Sequence, residues 1–241
     1  MTSFDKANIP LMAALQLSVA IHNRYGFTSK STWDHATGVG KESNLDGNGR
    51  PIPNSARLYR QLFPSAKVAE ENREQFEITP EVIAQAEEIR HTLQAFSFKA
   101  IERPLTNFES QVLEIVNSDT ISHKDLGRIA SFPNVYERKI SQEAWEDRES
   151  ELAQDSVWVG VPMTKDEFDI TIENIRYLSR TDSYLICAQE QGNIIKFFID
   201  GSKLDGRSEG DVCKITCWVK KQEVSKYHGG QETMVNRVKF L

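Results

Sequence analysis

Apolar residues recur with two different periods along this chain. Upstream of Asp155 they recur every three or four positions, which is typical of helices that bury one face. From Val157 onward apolar and polar positions alternate, which is typical of β-strands with one buried side. The change of period predicts an all-α domain of residues 1–155 followed by a β domain of residues 156–241. The predicted fold class is therefore α+β.

Helix boundaries in the first domain are indicated by capping residues, glycines and prolines. The predicted helices cover residues 11–25, 54–63, 80–98, 107–116, 124–130 and 142–154. Thr106 and Glu109 form a capping-box pattern at the start of one of them. The segment 131–134, which contains Pro133, is predicted to break the pattern, so that Ser141 caps the last helix.

The β domain contains five predicted strands. Strands are predicted at residues 168–177, 184–189 and 194–199, with two more within 211–241. The alternation slips by one residue between Ile172 and Ile175, which predicts a β-bulge in the first strand. A long bulged first strand, and a connector between the third and fourth strands, are typical of a five-stranded OB-like β-barrel. Such barrels bind single strands across strands 2 and 3 and with the loops that flank them.

The last two strands are predicted to present a tryptophan among basic side chains. A period of two places four residues on one face of the fourth strand: Lys214, Thr216, Trp218 and Lys220. In the fifth strand one parity contains Thr233, Val235, Arg237 and Lys239, and the other contains Met234, Val238 and Phe240, with Asn236 as its exception. Paired strands of this kind suit a negatively charged ligand with flat rings.

Charge is distributed unevenly along the chain. The formal net charge is −6, which argues against a nucleic-acid binder if it is taken as a whole. Residues 214–241, however, carry six basic and two acidic side chains, whereas the deficit lies in residues 1–155. Phosphate binding responds to charge within a Debye length of about 8–10 Å. The basic C-terminal edge can therefore attract phosphates although the net charge of the chain is negative.

Several classes of protein and site find no support in the sequence. No apolar run approaches the roughly 18 residues of a membrane span, and no secretory signal precedes the first helix. Three strand cysteines, an odd number, predict reduced thiols in a cytoplasmic protein. Residues 38–41 (Gly-Val-Gly-Lys) lack the first glycine and the Ser or Thr of a phosphate loop. The five histidines are scattered, so no catalytic residue, metal ligand or cofactor is predicted.

The C-terminal third resembles a known family. Lys220-Lys221 ends one strand, a loop carries Tyr227 and Gly229-Gly230, and Thr233 leads to Arg237-Val238-Lys239 in the next. This arrangement resembles the OB-fold single-stranded nucleic-acid-binding modules of bacteriophage and mobile-element replication and recombination proteins. The resemblance implies a non-catalytic protein that binds single-stranded DNA or RNA, in the host cytoplasm if a phage encodes it.

The predicted binding residues are cations and aromatic residues of the barrel face and of the loops 179–183 and 221–231. They are Arg180, Tyr184, Phe197, Lys214, Trp218, Lys220, Lys221, Lys226, Tyr227, Arg237 and Lys239. The two loops are expected to bring Arg180, Lys226, Tyr227 and His228 to one region. Each aromatic residue has the alternative role of barrel packing, and the sequence leaves open which of Phe197 and Phe198 faces outward.

The acidic helical domain is predicted to be a surface for self-association or for a replication or recombination partner. The oligomeric state is left open. The alternative hypothesis is a protein-interaction module, such as an inhibitor of a host complex, because OB-like barrels also bind proteins and an acidic chain suits a basic partner.

Overall fold

A computed structural model of the protein describes residues 9–29, 45–46, 49–63, 74–178 and 180–241. The chain divides into two compact units, Met1–Ile140 and Ser141–Leu241. Helices form most of the first unit, and a closed five-stranded barrel forms most of the second. The predicted α+β class is therefore confirmed, while the predicted domain boundary after Asp155 stays a prediction.

Seven α-helices lie in the described part of the chain. They are α1 (Leu11–Tyr25), α2 (Asn54–Leu62), α3 (Pro80–Gln94), α4 (Phe96–Glu102), α5 (Asn107–Val116), α6 (Leu126–Ile129) and α7 (Phe132–Asp155). Two short antiparallel strands, β1 (Ile9–Pro10) and β2 (Thr120–Ile121), join the start of α1 to the segment after α5. The core of this unit forms where the buried stripe of α1 meets α2, α3, α5 and α6, around residues such as Leu15, Leu58 and Ile89.

Helix α7 differs from its prediction. It is a single helix of 24 residues that begins at Phe132 and passes through Ser141, the predicted N-cap. Pro133 does not break this helix, because it lies in the first turn, where a backbone N–H has no intrahelical acceptor and its loss costs nothing. The predicted helix 80–98 is also divided, since α3 ends at Gln94 and α4 follows after Ala95.

The predicted capping box at α5 is present and extended by an arginine. Thr106 Oγ1 accepts a hydrogen bond from the Glu109 N–H, and the Glu109 carboxylate accepts one from the Thr106 N–H at 2.9 Å. Arg103 donates to both oxygens of the buried Glu109 carboxylate, at 2.9 and 2.7 Å. The hydrogen bonds from Arg103, followed by that from Thr106, hold the pKa of Glu109 far below its usual range.

Replacing Glu109 with glutamine is expected to destabilise the helical unit by about 2 kcal/mol near neutral pH, since hydrogen bonds to a charged group are lost. The folded-state pKa of Glu109 is lowered, so the contribution is present above the unfolded pKa of about 4.3 and is lost progressively as pH falls below it. Urea unfolding followed by circular dichroism measures the difference between wild type and variant across this range. Glu114→Gln, which changes an exposed acid of the same helix, is the control, and a difference that is constant with pH would contradict the assignment.

The barrel consists of β3 (Lys165–Leu178), β4 (Ser183–Glu190), β5 (Asn193–Ile199), β6 (Val212–Val224) and β7 (Gln231–Phe240). Its strand order is β3-β4-β5-β7-β6, and β6 closes the ring by pairing with β3. All pairs are antiparallel except β5 with β7. The interior is apolar and includes Phe168, Ile170, Ile172, Ile186, Ile195, Phe197, Ile215, Val219 and Val235.

Three register shifts interrupt the strand pairing of the barrel, and one of them lies in β6 between Val219 and Lys221. Another, between Ile172 and Asn174 of β3, confirms the predicted slip in alternation. The third lies in β7, where Arg237 and Val238 together oppose the single residue between Thr216 and Trp218 of β6. Arg237 has a positive φ of 51°, a conformation that is typical of the first residue of such bulges.

The bulge in β7 corrects the predicted parity of that strand. Thr233 and Val235 are buried, whereas Arg237 and Lys239, which share their parity, are exposed. The extra residue reverses the alternation between the two pairs. It also explains the exception in the sequence pattern, because Asn236 lies outside while Val238 and Phe240 pack against the core.

All three cysteines are free. Burial raises the pKa of the Cys187 thiol to about 12 and that of Cys217 to about 11, so neither is a reactive thiolate at neutral pH. Among the helices of the described residues, none combines the length and the apolar character that a membrane crossing requires.

Candidate nucleic-acid interface

Trp218 lies on the outside of the barrel. Its neighbours Cys217 and Val219 point into the core, and the indole is 39% exposed. The guanidinium carbon of Arg237 lies 5.6 Å from the centroid of the indole ring, which is cation–π geometry. The β7 bulge places Arg237 there by turning it outward after Asn236, which pairs directly with Trp218. A flat ring and a cation therefore lie side by side and open to solvent.

Strand pairing extends this site around the barrel. Trp218 of β6 pairs with Lys165 near the start of β3. Near the end of β3, Arg176 pairs with Leu185 of β4, and Leu185 pairs in turn with Phe198 of β5. The parallel pairing of β5 with β7 ends at Lys196 and Met234, and Phe198 and Asn236 each follow two residues later on their strands. The resulting band of outward-facing side chains, here called the outer row, consists of Arg176, Leu185, Phe198, Asn236, Trp218 and Lys165. Except for the half-buried Leu185, all of them are exposed.

The prediction that Phe197 stacks on a base is wrong. Phe197 is wholly buried and packs edge-on against Phe240, with ring centroids 6.3 Å apart. A base cannot reach it while the barrel is closed. Its neighbour Phe198 is the outward-facing ring, 55% exposed, and belongs to the outer row.

The predicted lysines of β6 and β7 all lie on the surface. Lys214 is 3.0 Å from the Glu167 carboxylate, whose hydrogen bond raises the pKa of Lys214. Lys221 pairs with Glu223 at 2.6 Å. Lys220 and Lys239 are exposed, and neither makes an ion pair with a residue that the structure describes. These last two cations are therefore available to phosphates.

The loop of residues 225–230 presents its side chains in two directions. Lys226 is exposed, and Tyr227 is 96% exposed. His228 turns inward instead, with a side chain only 4% exposed. Gly230 packs directly against α7, where an added Cβ would lie 2.5 Å from that of Ala153. The loop is thus fixed to the end of α7 and displays Tyr227 beyond it.

The prediction that Arg180, Lys226, Tyr227 and His228 share one region is wrong. The loop before β7 lies near the start of β5, where Ile194 pairs with Glu232. The loop before β4 lies near the other end of β5, where Ile199 pairs with Tyr184. Five residues of strand separate the two loops by about 16 Å, because a strand rises roughly 3.3 Å per residue. Arg180 is exposed, and Tyr184 is half-buried against Tyr177.

A buried cluster of charges lies under the loop of residues 225–230. Lys196 Nζ is 2.6 Å from both the Glu149 and the Glu232 carboxylates. Burial opposes the charge on Lys196, but the hydrogen bonds to the two carboxylates outweigh it and raise the pKa of Lys196. His228 Nε2 is 3.6 Å from each carboxylate and has no hydrogen-bond partner.

This cluster is also the place where a cation could bind. The ligand atoms of Glu149, His228 and Glu232 lie within 4.8 Å of one another, a combination that the spacing of histidines in the sequence does not reveal. A divalent ion would have to displace the Lys196 ammonium, which already serves both carboxylates. The contacts therefore favour an internal ion-pair cluster. Residues 38–41, considered above as a phosphate loop, lie outside the described part of the chain.

Of the outer row, sequence reasoning named only Trp218. It left Phe198 open and missed Arg176, Leu185, Asn236 and Lys165. The available signal was the bulge in β3, since shifting the alternation after Ile172 assigns Arg176 to the outside. Comparison of the chain with protein-family models, with curated proteins and with solved structures finds no match.

Proposed function

We propose that the protein is a non-catalytic single-stranded DNA or RNA binding protein that acts in replication or recombination and binds through the outer row. The observation that carries the proposal is the exposed Trp218 ring beside the Arg237 guanidinium. Exposed aromatic faces on a cationic surface suit a strand whose bases are unpaired, because every base has a face that stacks. The proposal places the protein in the cytoplasm, that of the host if a phage encodes it.

The proposed mode of binding combines stacking with phosphate contacts. Trp218 and Phe198 lie on strands separated by β7, which sets them at least about 10 Å apart at the usual strand spacing of roughly 4.8 Å, so each ring takes a different base of one strand. Each stacked base contributes about 1–3 kcal/mol with little sequence preference. Lys220, Lys239 and Arg176 neutralise phosphates and release counterions, which makes the affinity fall with salt.

An OB-like assignment of the barrel forms part of this proposal. Support comes from the five strands, the long bulged first strand and the order β3-β4-β5-β7-β6. OB-like barrels bind across their second and third strands, which correspond to β4 and β5 here. Helix α7 covers the part of that face around Cys187 and Ile194. The end of the face that carries Leu185 and Phe198 is left open.

Titration with fluorescently labelled oligo-dT of about 12 nucleotides tests the proposal, since one such barrel covers roughly 4–16 nucleotides. Binding is expected at about 50 mM salt and is expected to weaken by at least tenfold near 200 mM, because several phosphates are contacted. Labelled duplex of the same length serves as the control and is expected to bind less tightly. Absence of binding at every salt concentration would contradict the proposal.

A protein-interaction role, such as inhibition of a host complex, is the second candidate. The observation in its favour is the segment that enters the barrel, where Trp158, Val161 and Met163 are exposed at 45%, 61% and 77%. The Trp158 indole donates a hydrogen bond to the Glu223 carbonyl, so this ring is held in one orientation. Failure of the oligo-dT titration would favour this role. In either role, the acidic helical unit is proposed to contact a partner protein.

A further inference from the structure

The second half of α7 lies on the outer face of β4 and β5. It presents one stripe of side chains to the barrel, and the apolar contacts involve Trp145, Leu152, Ala153, Cys187 and Ile194. Glu149 pairs with Lys196 at 2.6 Å, and Arg148 pairs with Glu173 at 3.3 Å. This part of the strand face is therefore occupied by the protein's own helix.

The opposite surface of the same helix segment is strongly acidic. Residues 141–155 contain six acidic side chains and one arginine. Glu146, Asp147 and Glu151 are exposed. The last turn of α7 contains no basic residue, so Asp155 there opposes the helix dipole instead of complementing it. Glu151 lies 3.7 Å from Arg148, whereas Glu146 and Asp147 make no ion pair with a residue that the structure describes. Among these acids, the barrel contacts use only Glu149.

The acidic surface begins where the outer row ends. Glu149 is bonded to Lys196, and Phe198 follows two residues later on β5, about 7 Å away at roughly 3.3 Å per residue. A Debye length is about 10 Å at an ionic strength of roughly 0.1 M. Phosphates of a strand that lies on Phe198 are thus within electrostatic reach of α7.

We propose that the acidic surface of α7 sets the boundary of the nucleic-acid site, confining a bound strand to the outer row and repelling it from the loop at Tyr227. This inference rests on the proposed function and names a determinant of its footprint. Two effects act together. The apolar stripe of α7 covers part of the β4–β5 face, so that a strand cannot contact it. The outward acids of α7 repel any phosphate that lies on the Lys196 side of Phe198.

The test compares two variants that carry the same change of charge. Glu146→Gln, Asp147→Asn and Glu151→Gln are combined in one protein, and Glu77→Gln, Glu87→Gln and Glu114→Gln, exposed acids of the helical unit, are combined in the control. Oligo-dT of graded length is titrated at about 50 mM and about 500 mM salt. The α7 variant is expected to bind about threefold more tightly than wild type at low salt and equally at high salt. Its shortest saturating oligonucleotide is expected to become longer.

Each outcome bears on one claim. Equal tightening by the α7 variant and the control would show a net-charge effect and would overturn the boundary role, as would no change in either. Wild-type protein that binds no oligonucleotide overturns the proposed function itself, which is a different result. Folding is checked by circular dichroism, and the α7 variant is expected to fold because all three substituted side chains are exposed.

Discussion

Truncating Phe197 to alanine is expected to destabilise the barrel by about 3–5 kcal/mol, the usual cost of removing a buried phenylalanine. The side chain is wholly buried among Ile186, Phe240 and the other residues of the barrel core. Its loss removes apolar surface from the core and leaves a cavity that the closed ring of strands cannot collapse to fill. Urea unfolding followed by tryptophan fluorescence measures the change.

The adjacent residue provides a matched control. Phe198→Ala removes the same side chain from the outside of β5, where the ring is 55% exposed, and is expected to change stability by less than about 0.5 kcal/mol. The same substitution is expected to weaken oligo-dT binding by about tenfold, the equivalent of one lost stacking contact. Similar stability losses at both positions would contradict the orientation of β5 described above.

Replacing Trp218 with alanine is expected to weaken oligo-dT binding by about tenfold to a hundredfold, which corresponds to roughly 1–3 kcal/mol of stacking free energy. The larger effect is expected here because the indole is the bigger ring and lies beside Arg237, which we propose contacts a phosphate near the stacked base. Fluorescence anisotropy at several salt concentrations measures the affinity, and circular dichroism verifies the fold.

Two companion variants separate stacking from charge. Trp218→Phe keeps an aromatic face and is expected to retain most of the affinity. Arg237→Gln removes one phosphate contact and is expected to lower the magnitude of the salt slope by about one unit. A Trp218→Ala protein that is folded and binds as tightly as wild type would remove the main support for the proposed function.

The strands of the barrel were predictable because each one shows its period locally. The slip after Ile172 even located a bulge, since buried isoleucines lie on both sides of it. The bulge in β7 was not predictable, because Arg237 and Val238 fit either phase and only pairing with β6 fixes the choice. The same limit applied to Phe197 and Phe198. Alternation requires that one of the two faces inward, but it does not determine which one.

Features that depend on distant parts of the chain could not be predicted from local patterns. The cover that α7 places on β4 and β5 depends on contacts such as Glu149 with Lys196. The sequence around Pro133 predicted a break there, because a proline is compatible both with ending one helix and with beginning another. The separation of Arg180 from Tyr227 follows from strand directions around the barrel, which alternation does not encode.

The way the ring of strands closes has a kinetic consequence. β3, β4 and β5 follow one another through short connections, and β6 and β7 are joined by residues 225–230, so these pairs form through local contacts. The two remaining strand pairs, β3 with β6 and β5 with β7, join segments that are distant in the chain. Their formation requires the closure of long loops, which lowers the conformational entropy of the chain. Folding times on the order of milliseconds to seconds are usual for such topologies. Because Trp218 meets Lys165 in one of these strand pairs, the proposed binding surface is complete only once β3 and β6 have paired.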